Sequence, residues 1–185
     1  MKKLIIYWHP NQKSYCSAIV ESYKDGSESA WHEVEIIDIY REHKQSFLEF
    51  ANNPNTETTK IIQEKISSAD ELCFVFPMRR FDVPAIVKNF YDINMNRWFA
   101  YKTENGKNIW LLTGKSWRII TTAGANSWFI KMLYKFVFYL VRWQWRIAFL
   151  WMNYLGTSIN MDTMNPKKED QRKSFLTYIY SLGMK

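Results

Sequence analysis

Leu72-Cys73-Phe74-Val75-Phe76-Pro77-Met78-Arg79-Arg80-Phe81-Asp82-Val83-Pro84-Ala85-Ile86-Val87-Lys88 is the stretch on which the fold class turns. It opens on five apolar residues in a row, too short a run for a helix and rich enough in aromatic and branched side chains for a buried strand. Pro77 ends that run. Pro84 stands at a plausible first helical position, and Ile86, Val87, Phe90 and Tyr91 follow on one side, which predicts a helix over residues 84–92. Two prolines therefore frame a short, rigid loop between a buried strand and a helix. Such a loop presents backbone N–H and C=O groups to a flat heterocycle; the plainer alternative is an ordinary strand-to-helix turn with a surface arginine pair.

The same alternation extends in both directions. Apolar, β-branched or aromatic runs predict strands over residues 3–8, 33–39, 72–76, 117–122 and 157–161. Helical patterns lie between and after them, over residues 14–24, 56–67, 84–92, 127–154 and 167–182. Five strands alternating with helices imply an α/β protein with a parallel sheet covered on both faces. With right-handed crossovers, the expected arrangement is the flavodoxin-like three-layer sandwich, strand order 2-1-3-4-5. In that order a ligand sits outside the carboxyl ends of the strands. No long linker interrupts the pattern, so residues 1–185 are expected to form one domain.

With 185 residues, 47% of them hydrophobic, and six Gly and five Pro, the chain has the means to bury a core. Its two cysteines, Cys16 and Cys73, are too few for a disulfide framework and fit no metal spacing. Cys73 lies inside an apolar run and reads as a small buried hydrophobe. The amino terminus is basic and then apolar, but His9-Pro10 stops the apolar run too early for a signal peptide, which predicts a cytoplasmic protein.

The net charge of +7 is unevenly spread. Residues 1–92 carry 11 Lys and Arg against 14 Asp and Glu, a net of −3, and residues 93–185 carry 14 against 4, a net of +10. A basic half points to an anionic partner or to a solubilising surface. Residues 128–152 concentrate the contrast, with ten aromatic residues, and with Lys131, Lys135, Arg142 and Arg146 on one narrow helical face. Four charges make this a poor membrane span. It reads as a core and dimer-interface helix with outward cations, or as a docking element for a membrane or a membrane protein. Nucleic acid is a weaker candidate, since no binding module is present.

Three segments follow strands at the edge where a ligand is expected. After the first strand, His9-Pro10-Asn11-Gln12-Lys13-Ser14-Tyr15-Cys16 opens a helix, whose unpaired N–H groups suit a phosphate; Ser14 is equally a plain helix cap. The second segment is the proline-framed loop. The third, Thr121-Thr122-Ala123-Gly124, offers hydroxyls and close backbone approach, or else satisfied threonines in a glycine turn. The sequence has no Gly-x-Gly-x-x-Gly, no Walker loop, no zinc spacing and no Gly-x-Ser-x-Gly elbow. Dinucleotide-fold dehydrogenases, P-loop enzymes and α/β-hydrolases all lose ground.

Taken in order, these motifs resemble the NAD(P)H:quinone oxidoreductase family. They are His9-Pro10 with Ser14-Tyr15-Cys16, Asp38-Ile39-Tyr40, Ala69-Asp70, Phe76-Pro77-Met78, Pro84-Ala85-Ile86-Val87-Lys88, Trp98-Phe99-Ala100-Tyr101 and Thr121-Thr122-Ala123-Gly124. The lead-in Gly114-Lys115-Ser116-Trp117-Arg118 is similar to members that serve as ancillary subunits of potassium efflux systems. The resemblance implies a bound FMN, or FAD, with NAD(P)H as co-substrate. It implies that His9, Ser14, Tyr15 and Cys16 lie near the flavin phosphates. Pro77, Met78, Arg79, Arg80 and Phe81 would line the isoalloxazine, and Thr121, Thr122, Ala123 and Gly124 would flank it. Tyr101 would be a substrate-pocket residue, hydrogen-bonding the acceptor across the interface of a homodimer.

Departures from the family are also plain. Arg79-Arg80 stand where Trp or Tyr is common, Cys16 stands in place of Asn, and the tyrosine usual after the Thr-Thr loop is absent. The arginines would place positive charge beside the flavin or receive the 2′-phosphate of NADPH. The implied activity is ping-pong reduction of quinones or similar flat electrophiles, in which the flavin carries the hydride. The alternative is a regulatory subunit with a degenerate flavin site that docks a membrane protein.

Overall fold

The computed structural model describes residues 1–41, 47, 56–80, 82–124 and 151–185. Five strands form one parallel sheet: β1 (Lys2–Tyr7), β2 (Glu33–Asp38), β3 (Glu71–Pro77), β6 (Ser116–Thr122) and β7 (Asn153–Asn160). Their order is β2-β1-β3-β6-β7, which is 2-1-3-4-5 when only the strands of this sheet are counted. The strands beside and across the centre are apolar because both faces are covered. The side chains alternate between two cores. Leu4, Ile6, Leu72, Phe74, Phe76 and Ile119 point to one, and Ile5, Tyr7, Cys73, Val75 and Ile120 to the other.

The first core is closed by α2 (Glu57–Ser68) and α3 (Ala85–Asn94) through Ile62, Ile66, Val87 and Phe90. The second is closed by α1 (Tyr15–Ser29) and α4 (Glu169–Gly183) through Ile19, Val20, Tyr23 and Ile179. α1 runs past the expected end at residue 24 and keeps Gly26 inside it. A Cβ on Gly26 would lie 2.1 Å from the Tyr180 carbonyl oxygen, and one on Gly183 would lie 2.3 Å from that of Tyr23. Glycine here sets how closely two helices approach, not where one stops. Among the described residues, no helix is long and apolar enough to cross a membrane.

Two expectations need correction. The helix expected over residues 127–154 falls mostly outside the described residues, with Lys131, Lys135, Arg142 and Arg146. Its last positions are not helical: Asn153 and Tyr154 open β7, four residues before the expected start at 157. Asn153 pairs with Ser116 and Tyr154 with Trp117, and the Asn153 N–H donates to the Lys115 carbonyl at 2.8 Å. The sheet ladder overrides the helical look of an aromatic run. The second correction is an added hairpin, β4 (Tyr101–Glu104) and β5 (Lys107–Trp110), which forms its own two-stranded sheet. Asn105 and Gly106 take φ of 51° and 74° at its tip, the Asn-Gly turn favoured in two-residue hairpins.

Candidate functional site

The register of the sheet brings the ends of β1, β3 and β6 together. Tyr7 pairs with Val75, Phe76 with Thr121, and Pro77 with Thr122. Backbone bonds carry the pairing into the loops. Trp8 donates to Val75 at 3.0 Å, Met78 to Thr122 at 2.8 Å, and Ala123 to the Asn160 carbonyl at 2.8 Å. The three segments singled out in the sequence therefore leave the sheet side by side at its carboxyl edge, where the strand order reverses.

The first loop is held before any ligand arrives. Ser14 caps α1 in a reciprocal capping box: its Oγ accepts the Ser17 N–H at 3.1 Å, and the Ser14 N–H donates to Ser17 Oγ at 2.9 Å. Asn11 donates its N–H to His9 Nδ1 at 3.0 Å and accepts that of Lys13 on Oδ1 at 3.0 Å. Arg41 bonds Asp38 at 2.5 Å and reaches the carbonyls of His9 and Pro10, each at 3.4 Å. The first-turn N–H groups of Tyr15 and Cys16 have no acceptor among the described residues, so they and the helix dipole stand ready for an anion.

The side chains of Tyr15 and Cys16 serve the fold. The Tyr15 hydroxyl donates to the Arg172 carbonyl at 3.0 Å and accepts from Asn160 Nδ2 at 2.6 Å. Burial pushes it up to about 12, partly offset by the Asn160 bond. Cys16 is buried with Sγ 3.5 Å from Thr122 Oγ1. Burial pushes the thiol up to about 11, against the opposing pull of Thr122 and of the Arg79 charge. At neutral pH it is an uncharged thiol between two loops.

In the second loop, the Arg79 N–H donates to the Asp82 carbonyl and the Asp82 N–H to that of Arg79, both at 2.9 Å. This closes a tight turn in which Arg80 takes φ of 48°. Asp82 Oδ1 accepts the Val83 N–H at 2.7 Å. Pro77 and Met78 are half-buried, and Arg79 and Arg80 are exposed, with no ion pair to either among the described residues. Phe81 lies outside the described residues. In the third loop, Thr121 Oγ1 donates to the Phe76 carbonyl at 2.7 Å, so both threonine hydroxyls are committed inside the protein. Ala123 is buried and its carbonyl accepts the Thr163 N–H at 3.2 Å; Gly124 is exposed.

Tyr101 is not part of the strand-end set. It begins β4, half-buried, its ring 5.9 Å from that of Trp110, against the apolar cluster that also receives Trp8, Val83 and Ile86. The sequence reading missed Trp8, Arg41, Asn160 and Thr163. Asn160 ends β7, so the strand-end rule alone would have included it. Trp8 carries a buried Nε1 with no hydrogen-bond partner among the described residues, a detail with no sequence signal.

Comparison with known proteins agrees with this geometry. A family described by a flavodoxin-like fold matches residues 1–179. The chain is 33% identical over 133 residues to an NAD(P)H oxidoreductase of Haemophilus influenzae, covering 68% of this chain and 66% of that protein. It is 36% identical over 81 residues to an FMN-dependent NADH:quinone oxidoreductase of Metamycoplasma arthritidis, covering 42% and 41% of the two chains. The chain thus spans just under two thirds of the first relative and less than half of the second. A crystal structure from Streptococcus mutans superposes with a TM-score of 0.83 at 26% identity, covering 100% of this chain and 99% of that one.

Proposed function

The chain belongs to this flavodoxin-like family, and from that premise we propose that it is a flavin-dependent NAD(P)H oxidoreductase that binds FMN and reduces quinones or similar flat electrophiles in a ping-pong cycle. The observation that carries the reading is the convergence of three pre-formed loops on one sheet edge, tied by the Trp8–Val75 and Met78–Thr122 backbone bonds.

The donor set suits a flavin mononucleotide. Free N–H groups of the first turn of α1, with Ser14, His9 and Lys13 around them, favour a phosphate. Asp38, one of the carboxylates near this edge, is neutralised by Arg41, which lowers its opposition to an anion. The proline-framed loop and the turn at Gly124 would offer a ring those polar groups that their own internal bonds leave free. Arg79 and Arg80 add uncompensated positive charge at the rim.

When bound, the flavin accepts and returns a hydride equivalent. The protein has to hold the ring, exclude water from one face and admit two flat partners in turn to the other. No strong acid or base is required of the chain, and Tyr101 would orient the acceptor oxygen. Like the relatives named above, it would use NADH or NADPH as donor.

The test is direct. Protein purified with FMN should show a flavin spectrum that NADH or NADPH bleaches, and steady-state plots with a quinone should give parallel lines. A fully loaded protein that oxidises neither nucleotide with any quinone or dye would end the enzyme reading. A colourless protein that refuses FMN would end the cofactor reading too, and would favour the docking subunit.

A further inference from the structure

At the other end of the sheet, a cleft of about 500 Å³ opens between the amino ends of β3, β6 and β7 and the end of α4. Its floor holds charge that is buried nearly completely. Glu71 and Arg118 are 1% and 6% exposed, and Lys3, behind them, is 0% exposed. Arg118 Nε bonds Glu71 Oε1, which also accepts the Tyr23 hydroxyl at 2.6 Å. Lys3 Nζ lies 4.0 Å from Glu71 Oε2 and donates to the Gly183 carbonyl at 2.7 Å. Two cationic side chains thus share one carboxylate.

The Nε atom uses one of the five guanidinium donors of Arg118. Its two terminal amino groups have no acceptor among the described residues and are not sealed either, since Arg118 lines the cleft. A planar fork that is desolvated on one side and open on the other is the geometry that recognises a carboxylate or a phosphate. The remaining walls choose between them. Leu155 and Leu182 are apolar, and Ser116 and Asn153 are neutral and polar. Asp70 and Glu71 line the space, but so do Met1 and Lys185, so charges of both signs surround the fork, and it is the apolar wall that selects a carboxylate carrying a tail over a bare phosphate.

We propose that this cleft is a second ligand site, which takes a small monocarboxylate with a short apolar tail. The carboxylate sits on the open edge of the Arg118 guanidinium, and the tail lies against Leu155 and Leu182. Along β6 the site is four residues from Thr122, about 13 Å at strand rise, so it is separate from the flavin slot and does not depend on it.

The experiment is a calorimetric and chemical-shift titration of the full chain with butyrate, with butylamine and inorganic phosphate as comparisons. Butyrate should bind at one saturable site, butylamine should not bind, and phosphate should bind more weakly. Asn153→Asp adds a carboxylate at an exposed wall position and should weaken butyrate about fivefold or more. Arg118→Lys keeps the charge but loses the fork and should abolish binding; where it unfolds the protein, Asn153→Asp decides alone. No saturable butyrate binding up to about 10 mM, the range of millimolar affinities, would overturn the proposal. So would butyrate binding that Asn153→Asp leaves unchanged, or a preference for phosphate.

Discussion

The backbone N–H of Met78 donates to the carbonyl of Thr122 across 2.8 Å, which fixes the loop leaving β3 to the last residue of β6. One residue earlier, Thr121 Oγ1 reaches back to the Phe76 carbonyl at 2.7 Å. The two bonds run in opposite directions between the same pair of strand ends. They set the spacing of the proposed ring slot without using any group that must contact the ring, which is how a rigid frame pre-organises a site.

Thr121→Val removes the second of these bonds, and with it one donor to the buried Phe76 carbonyl oxygen. The expected loss is about 1–2 kcal/mol in urea denaturation. FMN affinity should fall as well, read by fluorescence quenching on titration, because the two loops part. An unchanged affinity would show that the Met78–Thr122 bond suffices.

Gly26→Ala and Gly183→Ala should each destabilise by about 3 kcal/mol or more, read by the same denaturation. The added methyls would sit 2.1 Å and 2.3 Å from backbone carbonyl oxygens of the facing helix. Backbone cannot swing aside as a side chain can, so α1 and α4 must separate. In an exposed helix, the same change at Gly26 would be stabilising.

Those glycines also mark where the sequence stops being readable. The parallel sheet and its order follow from apolar runs such as residues 72–76, because such runs are forced inside whatever surrounds them. The strand-end loops followed from position, since anything after β1, β3 and β6 must meet at one edge. The first helix was expected to end at residue 24, short of Gly26, whose reason for standing inside it lies on Tyr180, more than 150 positions away. Tyr154 looked helical because its aromatic neighbours precede it, while its actual partner is Trp117. The commitment of Thr121 and Thr122 to internal bonds could not be told from open hydroxyls, since either use needs the same residue. The β4–β5 hairpin did have a local signal in Asn105-Gly106, which was passed over.

Both cysteines should be inert to a thiol reagent in the folded protein at pH 8. Cys16 is 2% exposed and its thiol is pushed up to about 11 by burial; Cys73 is 0% exposed and raised by the same cause. The reactive thiolate is then scarce as well as sealed. Labelling with a chromogenic disulfide should proceed only as fast as the chain opens, and two equivalents should appear at once in denaturant. A fast first equivalent would place Cys16 at the surface.

Glu35 should make stability depend on pH in the acid range. Burial alone would raise its carboxyl, but the Lys65 hydrogen bond at 2.6 Å, with the charges of Lys65 and Lys2, outweighs it and holds the group below its ordinary value. A depressed carboxyl stabilises the fold above the unfolded-state value near 4.5, and that contribution is lost as pH falls through the folded-state value. The groups are partly exposed, so about 1 kcal/mol or less is at stake. Glu35→Gln should cost that much at pH 7 and less at pH 3, measured by denaturation at both.

Arg79 and Arg80 should decide between the two nicotinamide donors. The turn that carries them is closed by two backbone bonds of 2.9 Å between Arg79 and Asp82, and it holds Arg80 at φ of 48°. Both guanidinium groups are exposed, and among the described residues neither forms an ion pair, not even with Asp82, the nearest carboxylate in sequence. Two unpaired cations on a rigid rim favour the donor with the additional phosphate, and arginine binds phosphate through two parallel bonds. Replacing both with alanine should lower kcat/KM for NADPH about tenfold, roughly 1.4 kcal/mol of lost binding, and leave that for NADH within about twofold. Equal losses with both donors, together with a weaker flavin complex, would move the arginines from the nucleotide to the flavin itself. That outcome would appear as a lower flavin reduction potential in the double variant, because positive charge beside the ring stabilises its anionic reduced form.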